Sequence, residues 1–104
     1  MNVFELDQHE LTSFGSRGAL MSPLGGGSGD FRVTVAHLAS GGLIGMHSAP
    51  AAQTLGVVIG EVIVRCGDEQ VTLLPGTAVR FDVGEQHETS ARVDSTVVVV
   101  ETRP

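Results

Sequence analysis

Two histidines, His47 and His87, stand in glycine-bounded stretches of the chain. His47 lies in residues 41–60, GGLIGMHSAPAAQTLGVVIG, and His87 lies in residues 76–91, GTAVRFDVGEQHETSA. Imidazole binds divalent transition metals, and it exchanges a proton near neutral pH. If the two histidines meet in space, they could hold a divalent ion or act as general acid and base.

A third imidazole and an amide are candidates to join this pair. Residues 31–38 alternate with period two, and Gln53 shares its side of the next predicted strand with apolar residues. We therefore predict that His37 and Gln53 point into a barrel, although an ordinary core histidine is the favoured reading for His37. The same alternation predicts an apolar pocket for a small organic ligand, lined by Phe31, Val33, Val35, Leu55, Val57, Val79 and Phe81.

Other chemical motifs are incomplete. Cys66 is the only cysteine, so no internal disulfide can form, and a structural role is favoured over redox sensing. Residues 25–29, GGGSG, lack the Lys-Ser/Thr of a phosphate-binding loop and are interpreted as a turn. Ser48 follows His47 directly, and an extended strand would send these two side chains to opposite faces.

The composition bounds the class of protein. The chain has 104 residues, 41% apolar and 17% charged, with a net charge of −6, which is typical of one globular domain. Its six basic residues are scattered arginines, so we expect no nucleic-acid partner, and the absence of lysine excludes a lysine Schiff base. Neither a leader nor a long apolar run is visible, so we expect a cytoplasmic protein with no membrane partner.

Short alternating stretches separated by turn residues must position the histidines. They predict a β-sandwich or barrel, since no stretch has a convincing helical period. Residues 97–100, four valines, are apolar on both faces, which indicates a central strand or one covered by a partner subunit. The predicted strands cover residues 31–38, 53–59, 61–66, 70–74, 77–81, 89–93 and 96–102, with a further candidate at 19–24.

In this order of elements, the two histidine stretches resemble the two motifs of the cupin superfamily. The first motif is Gly, five residues, His-x-His, three or four residues, Glu, six residues, Gly. Its positions are taken here by Gly41, His47, Ala49, Gln53 and Gly60. The second is Gly, five residues, Pro-x-Gly, two residues, His, three residues, Asn. Its positions are taken here by Gly76, Asp82, Gly84, His87 and Ala91.

The resemblance implies an all-β, double-stranded β-helix (jelly-roll) barrel that is often a homodimer. It divides the chain, taken as a single domain over residues 1–104, into an N-terminal segment with a glycine-rich turn, 1–30, and a core barrel, 31–104. In metal-binding cupins three histidines and one glutamate hold one divalent ion, whereas Ala49 and Gln53 replace two of those ligands here. It therefore implies a metal held by His47 and His87, with Gln53 or His37 assisting.

These expectations lead to three functional hypotheses. The first is a cupin that binds Zn, Fe, Ni, Cu or Mn and a small organic ligand, with dioxygenase-, isomerase- or lyase-like chemistry if it is an enzyme. The second is a metal-free, non-enzymatic protein that binds or senses a small ligand. The third is a structural dimerisation module with residues 97–100 near the interface.

Overall fold

The computed structural model describes residues 4–5, 7–26 and 30–103, and it confirms the all-β prediction. No α-helix occurs within these ranges, and a single 3-10 turn spans Ser13–Gly15. Part of the glycine run, residues 27–29, lies outside the described residues. The strands are β1 (His9–Glu10), β2 (Arg17–Gly26), β3 (Phe31–Ser48), β4 (Ala52–Ile59), β5 (Val62–Cys66), β6 (Glu69–Leu73), β7 (Ala78–Phe81), β8 (Gln86–Ala91) and β9 (Ser95–Thr102).

All strand pairs are antiparallel and follow the order β6-β5-β8-β3-β9-β4-β7, with β2 beside β3 and β1 beside β2. Strand β3 has 18 residues and belongs to both layers. Its first half pairs with β2 and β9, and its second half pairs with β8. The sequence predicted that this strand ends at residue 38, which is wrong: around Gly41 only the register with β2 shifts, and β3 continues to Ser48. The result is the nearly closed jelly-roll barrel that the sequence predicted.

The glycines of the two histidine stretches mark places where the backbone takes a left-handed conformation. Gly41, Gly60, Gly76 and Gly84 have φ of 79°, 95°, 87° and 88°. At Gly60 a Cβ atom would also overlap the hydroxyl of Ser95. Only glycine adopts such conformations without a steric cost, so the motif spacing records the positions of turns and close approaches.

The core follows the predicted alternation in the strands after β3. Leu55 and Val57 of β4 and Val97 and Val99 of β9 are all buried, and Gln53 shares their inward direction. Each buried valine or leucine contributes about 1.5–3 kcal/mol relative to leaving it exposed. Hydrophobic burial between the two layers therefore fixes the register of the strands that carry the site.

The predicted direction of the first half of β3 is wrong. Ala36 and Leu38 are buried, whereas Phe31 is 51% exposed. Because successive side chains in a strand alternate, Arg32 and Thr34 face inward, while Val33, Val35 and His37 share the outer side with Phe31. The prediction failed because the outward side is the more apolar of the two here.

Two smaller differences concern the ends of elements. Strand β8 begins at Gln86, so His87 lies in a strand and not at the end of a loop. The N-terminal segment, which the pattern left ambiguous, forms β1 and the 3-10 turn. In the described part of the chain, no helix has the length and hydropathy needed to cross a membrane.

Candidate functional site

The two histidines face each other across neighbouring strands. His47 of β3 lies directly opposite His87 of β8, and their ring centroids are 4.5 Å apart with an interplanar angle of 49°. They border a cavity of about 410 Å³ inside the barrel. It is lined by Leu11, Phe14, Met21, Arg32, Thr34, Ile44, His47, Ser48, Pro50, Gln53, Leu55, His87, Thr89, Val99 and Glu101.

The ring of His47 is oriented by the backbone. Its Nδ1 lies 2.8 Å from the carbonyl oxygen of Gly45. Because a carbonyl can only accept, Nδ1 carries the proton and donates it, which leaves a lone pair on Nε2. His47 therefore presents one free acceptor or metal-ligating nitrogen.

His87 is in a different situation. It is 3% exposed, and neither Nδ1 nor Nε2 has a hydrogen-bond partner in the part of the chain that the structure describes. Burial, followed by the nearby charge of His47, lowers the pKa of His87 from 6.5 to about 4. The ring is therefore neutral at pH 7, with one N–H donor and one lone pair unsatisfied.

Two phenylalanines enclose the histidine pair. Phe81 stacks on His87 at a centroid distance of 3.9 Å, and Phe14 stacks on His47 at 4.6 Å. Phe14 has a φ of 62°, which is rare for a residue with a side chain. The turn that carries it is held by a 2.9 Å hydrogen bond from the Gly45 amide to the Ser16 hydroxyl. The N-terminal segment thus covers one side of the site.

A row of side chains crosses the inner face of the sheet beside the histidines. Arg32 of β3 lies opposite Glu101 of β9, Glu101 lies opposite Gln53 of β4, and Gln53 lies opposite Phe81 of β7. Directly opposite residues share a face, with Cβ atoms roughly 5 Å apart. Phe81 contacts His87, so this row leads from a charged end at Arg32 to the imidazoles.

The charged end of the row borders a second cavity of about 760 Å³. This cavity shares Arg32, Thr34 and Glu101 with the first, and Phe31 and His9 border only the second. The ion pairs among the described residues join Arg65 to Glu88 and Arg92 to Glu61. Arg32 and Glu101 take part in neither pair, and both line the mouth of the cavity.

Comparison of the sequence with protein-family profiles and with curated proteins gave no match. Solved structures do match. A predicted oxalate decarboxylase from Thermotoga maritima aligns with a TM-score of 0.85 and 17% identity, covering 96% of this chain and 95% of that one. The chain has the cupin fold. The fold alone follows from this comparison, since the identity is low.

Two further cupin structures support the same assignment. An RmlC-like cupin from Shewanella frigidimarina aligns with a TM-score of 0.77 and 18% identity, covering 93% of this chain and 94% of that one. A cupin-2 domain from Rhodospirillum rubrum aligns with a TM-score of 0.81 and 14% identity, covering 96% of this chain and 70% of that one. The resemblance stated from the two motifs is thereby confirmed at the level of the fold.

The donor set of this cupin barrel fits a metal only in part. His47 has the arrangement of a metal ligand, because its second nitrogen is held by a carbonyl. Within residues 4–5, 7–26 and 30–103, His87 has no such partner, and Gln53 offers a neutral amide where an anion would balance the charge of the ion. Within the described residues there is no group of three or more His, Cys, Asp or Glu side chains placed to hold one ion. The four-ligand set that the cupin resemblance implies is therefore incomplete.

The structure brings some of the predicted site residues together and separates others. His47, His87, Gln53 and Leu55 line the cavity. Val57 is buried in the core, and Phe81 is buried against His87. His37 and Val35 lie on the outer side of β3, where Nδ1 of His37 is 3.1 Å from the Thr96 hydroxyl. The His37 ring therefore has its hydrogen-bond partner in Thr96 and lies away from the histidine pair.

Sequence reasoning missed the polar mouth and the cover of the site. Arg32 and Thr34 were placed on the wrong side of β3, and Glu101 was not considered. The burial of Ala36 and Leu38, which share the parity of Arg32, fixes this direction, and that burial is visible only in the structure. For Phe14 no sequence signal exists, because its contact with His47 depends on how the N-terminal segment folds back.

Proposed function

We propose that this cupin binds a small, largely apolar organic molecule that hydrogen-bonds to His87 and His47. One observation carries the proposal: both nitrogens of His87 are buried beside a cavity of about 410 Å³, and neither has a hydrogen-bond partner among the residues that the structure describes. A buried polar group without a partner costs about 1–3 kcal/mol. A ligand in the cavity that hydrogen-bonds to the His87 ring would remove this cost, and the recovered free energy would favour binding.

The chemistry of the cavity describes the occupant. Neutral His87 offers one donor and one acceptor, and His47 offers an acceptor at Nε2. A primary amide or a carboxamide-like heterocycle complements that pattern with its own donor and acceptor. The remaining lining is mostly apolar, including Leu55, Ile44 and Val99, so the body of the ligand would be aliphatic or aromatic.

The test uses 4-methylpentanamide, a small neutral amide with an aliphatic body. We expect it to bind with a dissociation constant of roughly 1 mM, as suits a compound of this size. Binding would be followed by NMR titration of the backbone amides of β8 and of the imidazole nitrogens. The ring nitrogens of His87 should shift on binding, because they gain hydrogen bonds.

Two variants separate the site from non-specific binding. His87→Phe should weaken the amide at least about tenfold, since it removes the hydrogen bonds and keeps a ring against Phe81. His37→Phe, a change at a histidine on the outer side of β3, should leave the affinity unchanged. Equal binding by the wild type and His87→Phe would contradict the proposal, as would an amide that shifts only surface resonances.

A divalent metal ion is the second candidate occupant, and the orientation of His47 favours it. Imidazole suits Zn, Cu, Ni and Fe, and Nε2 of His47 is free to bind. His87 is neutral at pH 7 and could supply the second nitrogen, with Gln53 as a weak third donor. Such an ion would act as a Lewis acid toward the ligand in the cavity.

Elemental analysis and thermal melting test this candidate. Untagged protein should contain a transition metal near one equivalent, and a chelator should lower its melting temperature, because ions that bind only the folded state stabilise it. His47→Ala and His87→Ala should each lose the metal, whereas His9→Ala should keep it. Metal-free protein with a melting temperature that neither chelator nor added Zn²⁺ changes would eliminate the metal and leave the organic ligand.

A further inference from the structure

The two cavities described above adjoin each other. The first, of about 410 Å³, contains the histidine pair, and the second, of about 760 Å³, lies at the end of β2 and the start of β3. Both are lined by the same set of side chains, which we call the junction: Leu11, Met21, Arg32, Thr34 and Glu101. A ligand held at the histidines can therefore extend past the junction into the second cavity.

The second cavity is mainly apolar beyond the junction. Its lining there includes Pro23, Leu24 and Phe31, and among the described residues His9 alone adds a titratable group. Leu24 is 47% exposed and Phe31 is 51% exposed, so both keep apolar surface in contact with water. A ligand tail that covers this surface is stabilised in proportion to the area removed from water. The second cavity therefore suits an alkyl or aryl tail.

The junction presents two opposite charges side by side. Arg32 of β3 lies directly opposite Glu101 of β9, which places their Cβ atoms roughly 5 Å apart. A guanidinium donates hydrogen bonds to a carboxylate, and a carboxylate accepts them from an N–H group. An N-acylated amino acid carries a carboxylate and an N–H on the same carbon atom, so it complements both charges at once. Its acyl chain continues from the nitrogen and supplies the tail.

The distance from the junction to the histidines sets the length of the ligand's side chain. Glu101 lies opposite Gln53, which lies opposite Phe81, and Phe81 stacks on His87. Neighbouring strands are about 4.8 Å apart. In glutamine, four bonds separate Cα from the side-chain amide nitrogen, and their extended length is about one strand spacing. With its Cα beside Glu101, the amide would reach Gln53, which lines the same cavity as His87 and His47.

We propose that the occupant of the two cavities is an N-acylated amino acid with a side-chain amide, of which N-acyl-glutamine is the simplest case. The amide binds His87 and His47. The carboxylate binds Arg32, the N–H donates to Glu101, and the acyl chain covers Leu24. This inference rests on the proposed function, because the histidines hold the amide in both. It adds the charged group and the tail.

Calorimetric titration of the wild-type protein with three compounds tests the inference. N-acetylglutamine should bind at least about tenfold tighter than 4-methylpentanamide, because it adds a charge-assisted hydrogen bond to Arg32. N-octanoylglutamine should bind at least about tenfold tighter again, because its longer chain buries apolar surface in the second cavity. One enantiomer of N-acetylglutamine should bind at least about fivefold tighter than the other, since three groups around one carbon each have a separate partner.

Two leucine variants locate the tail. Leu24→Gln should reduce the affinity ratio of the octanoyl to the acetyl compound at least about threefold, because the apolar end of the second cavity becomes polar. Leu74→Gln is the matched control, since Leu74 is 51% exposed and lines neither cavity. It should keep the wild-type ratio. Both leucines are half-exposed, and circular dichroism and melting verify that the variants fold.

The outcomes separate this inference from the proposed function. Equal affinities for all three compounds, with 4-methylpentanamide still shifting the His87 resonances, would overturn the inference and leave the proposed function standing. Equal binding of the two enantiomers would contradict the contacts at the junction. An octanoyl advantage that Leu24→Gln does not reduce would place the tail elsewhere and overturn the inference too. If none of the three compounds binds, both proposals fail.

Discussion

Arg32 lies directly opposite Glu101 on the inner face of the sheet, where neither residue forms an ion pair with another described residue. Both line the cavity that ends at the histidine pair. A free guanidinium next to a free carboxylate gives the mouth of the cavity two opposite charges that can select ligands by charge. Glu101 also lies opposite Gln53, which lines the same cavity as the two histidines. The two charges therefore stand next to the residues that would bind the ligand.

Arg32→Gln should weaken the binding of carboxylates and spare neutral ligands. We expect 4-methylpentanoate to lose about tenfold in affinity, since a charge-assisted hydrogen bond is worth about 1.5–3 kcal/mol. Its amide, 4-methylpentanamide, should be almost unaffected. Glu101→Gln should tighten the carboxylate, because a repelling charge is removed. The measurement is an NMR titration of both compounds against each variant.

Arg80→Gln is the control for this prediction. Arg80 lies on the other side of its strand and donates to the Thr54 hydroxyl at 3.4 Å, away from the cavity. It changes the net charge by the same amount as Arg32→Gln. If both variants weaken the carboxylate equally, the effect comes from the general field of the protein and Arg32 does not contact the ligand.

His87 should make the unliganded protein less stable in acid. Its pKa is lowered to about 4 in the folded state against 6.5 unfolded, so the folded state binds fewer protons between these values. Stability is therefore fully present above pH 6.5 and is lost as the pH falls toward 4. The contribution of this one group is on the order of 2–3 kcal/mol. Urea unfolding at pH 7 and pH 4.5, with chelator present, measures it.

Asp and Glu side chains also titrate in this pH range, so the prediction concerns the difference in stability between the wild type and His87→Phe. His87→Phe should lose less stability than the wild type between pH 7 and pH 4.5. It should also be the more stable protein at pH 4.5, because no buried imidazole must be protonated or left unpaired. Parallel curves for the two proteins would show that His87 is not the titrating group.

Gly45→Ala should detach the Phe14 turn from the histidines. A Cβ atom at residue 45 would overlap the carbonyl oxygen of Phe14, and that backbone must then move. We expect a loss of about 1–3 kcal/mol in unfolding free energy, as for other overpacked sites. A change in the imidazole resonances of His47 should accompany it. Gly25→Ala, where a Cβ meets no atom within 4 Å, should have little effect on either observable.

Cys66 should react slowly with thiol reagents although it is only partly buried. Its thiol donates to Oε2 of Glu85 at 3.3 Å, and burial, then this bond and the charge of Glu85, raise its pKa. The reactive thiolate is therefore scarce at pH 7.5. Glu85→Gln should accelerate modification several-fold in a timed assay with a thiol-specific reagent. A wild-type rate equal to that of free cysteine would refute this prediction and reopen the redox interpretation.

The cupin fold could be predicted from the sequence because it depends on local features with fixed spacing. Gly60 and Gly84 are needed where φ is positive, and period-two alternation fixes the inner side of a strand when only that side is apolar. Strand β4 meets this condition, and its inward direction was predicted correctly at Gln53. The first half of β3 does not meet this condition, because its outer side is the more apolar one. His37 was therefore predicted to face inward, whereas it faces outward.

From the sequence alone, the alternating strands and the spaced glycines predict the barrel, and the cupin resemblance implies that His47 and His87 lie close together. The packing of the folded chain adds what surrounds the two histidines. It places Phe14 on His47 and Arg32 and Glu101 at the mouth, and among the described residues it gives neither nitrogen of His87 a partner. Those relations join residues far apart in the chain. They depend on which side of a two-sided apolar strand faces the cavity, and no local pattern encodes that choice.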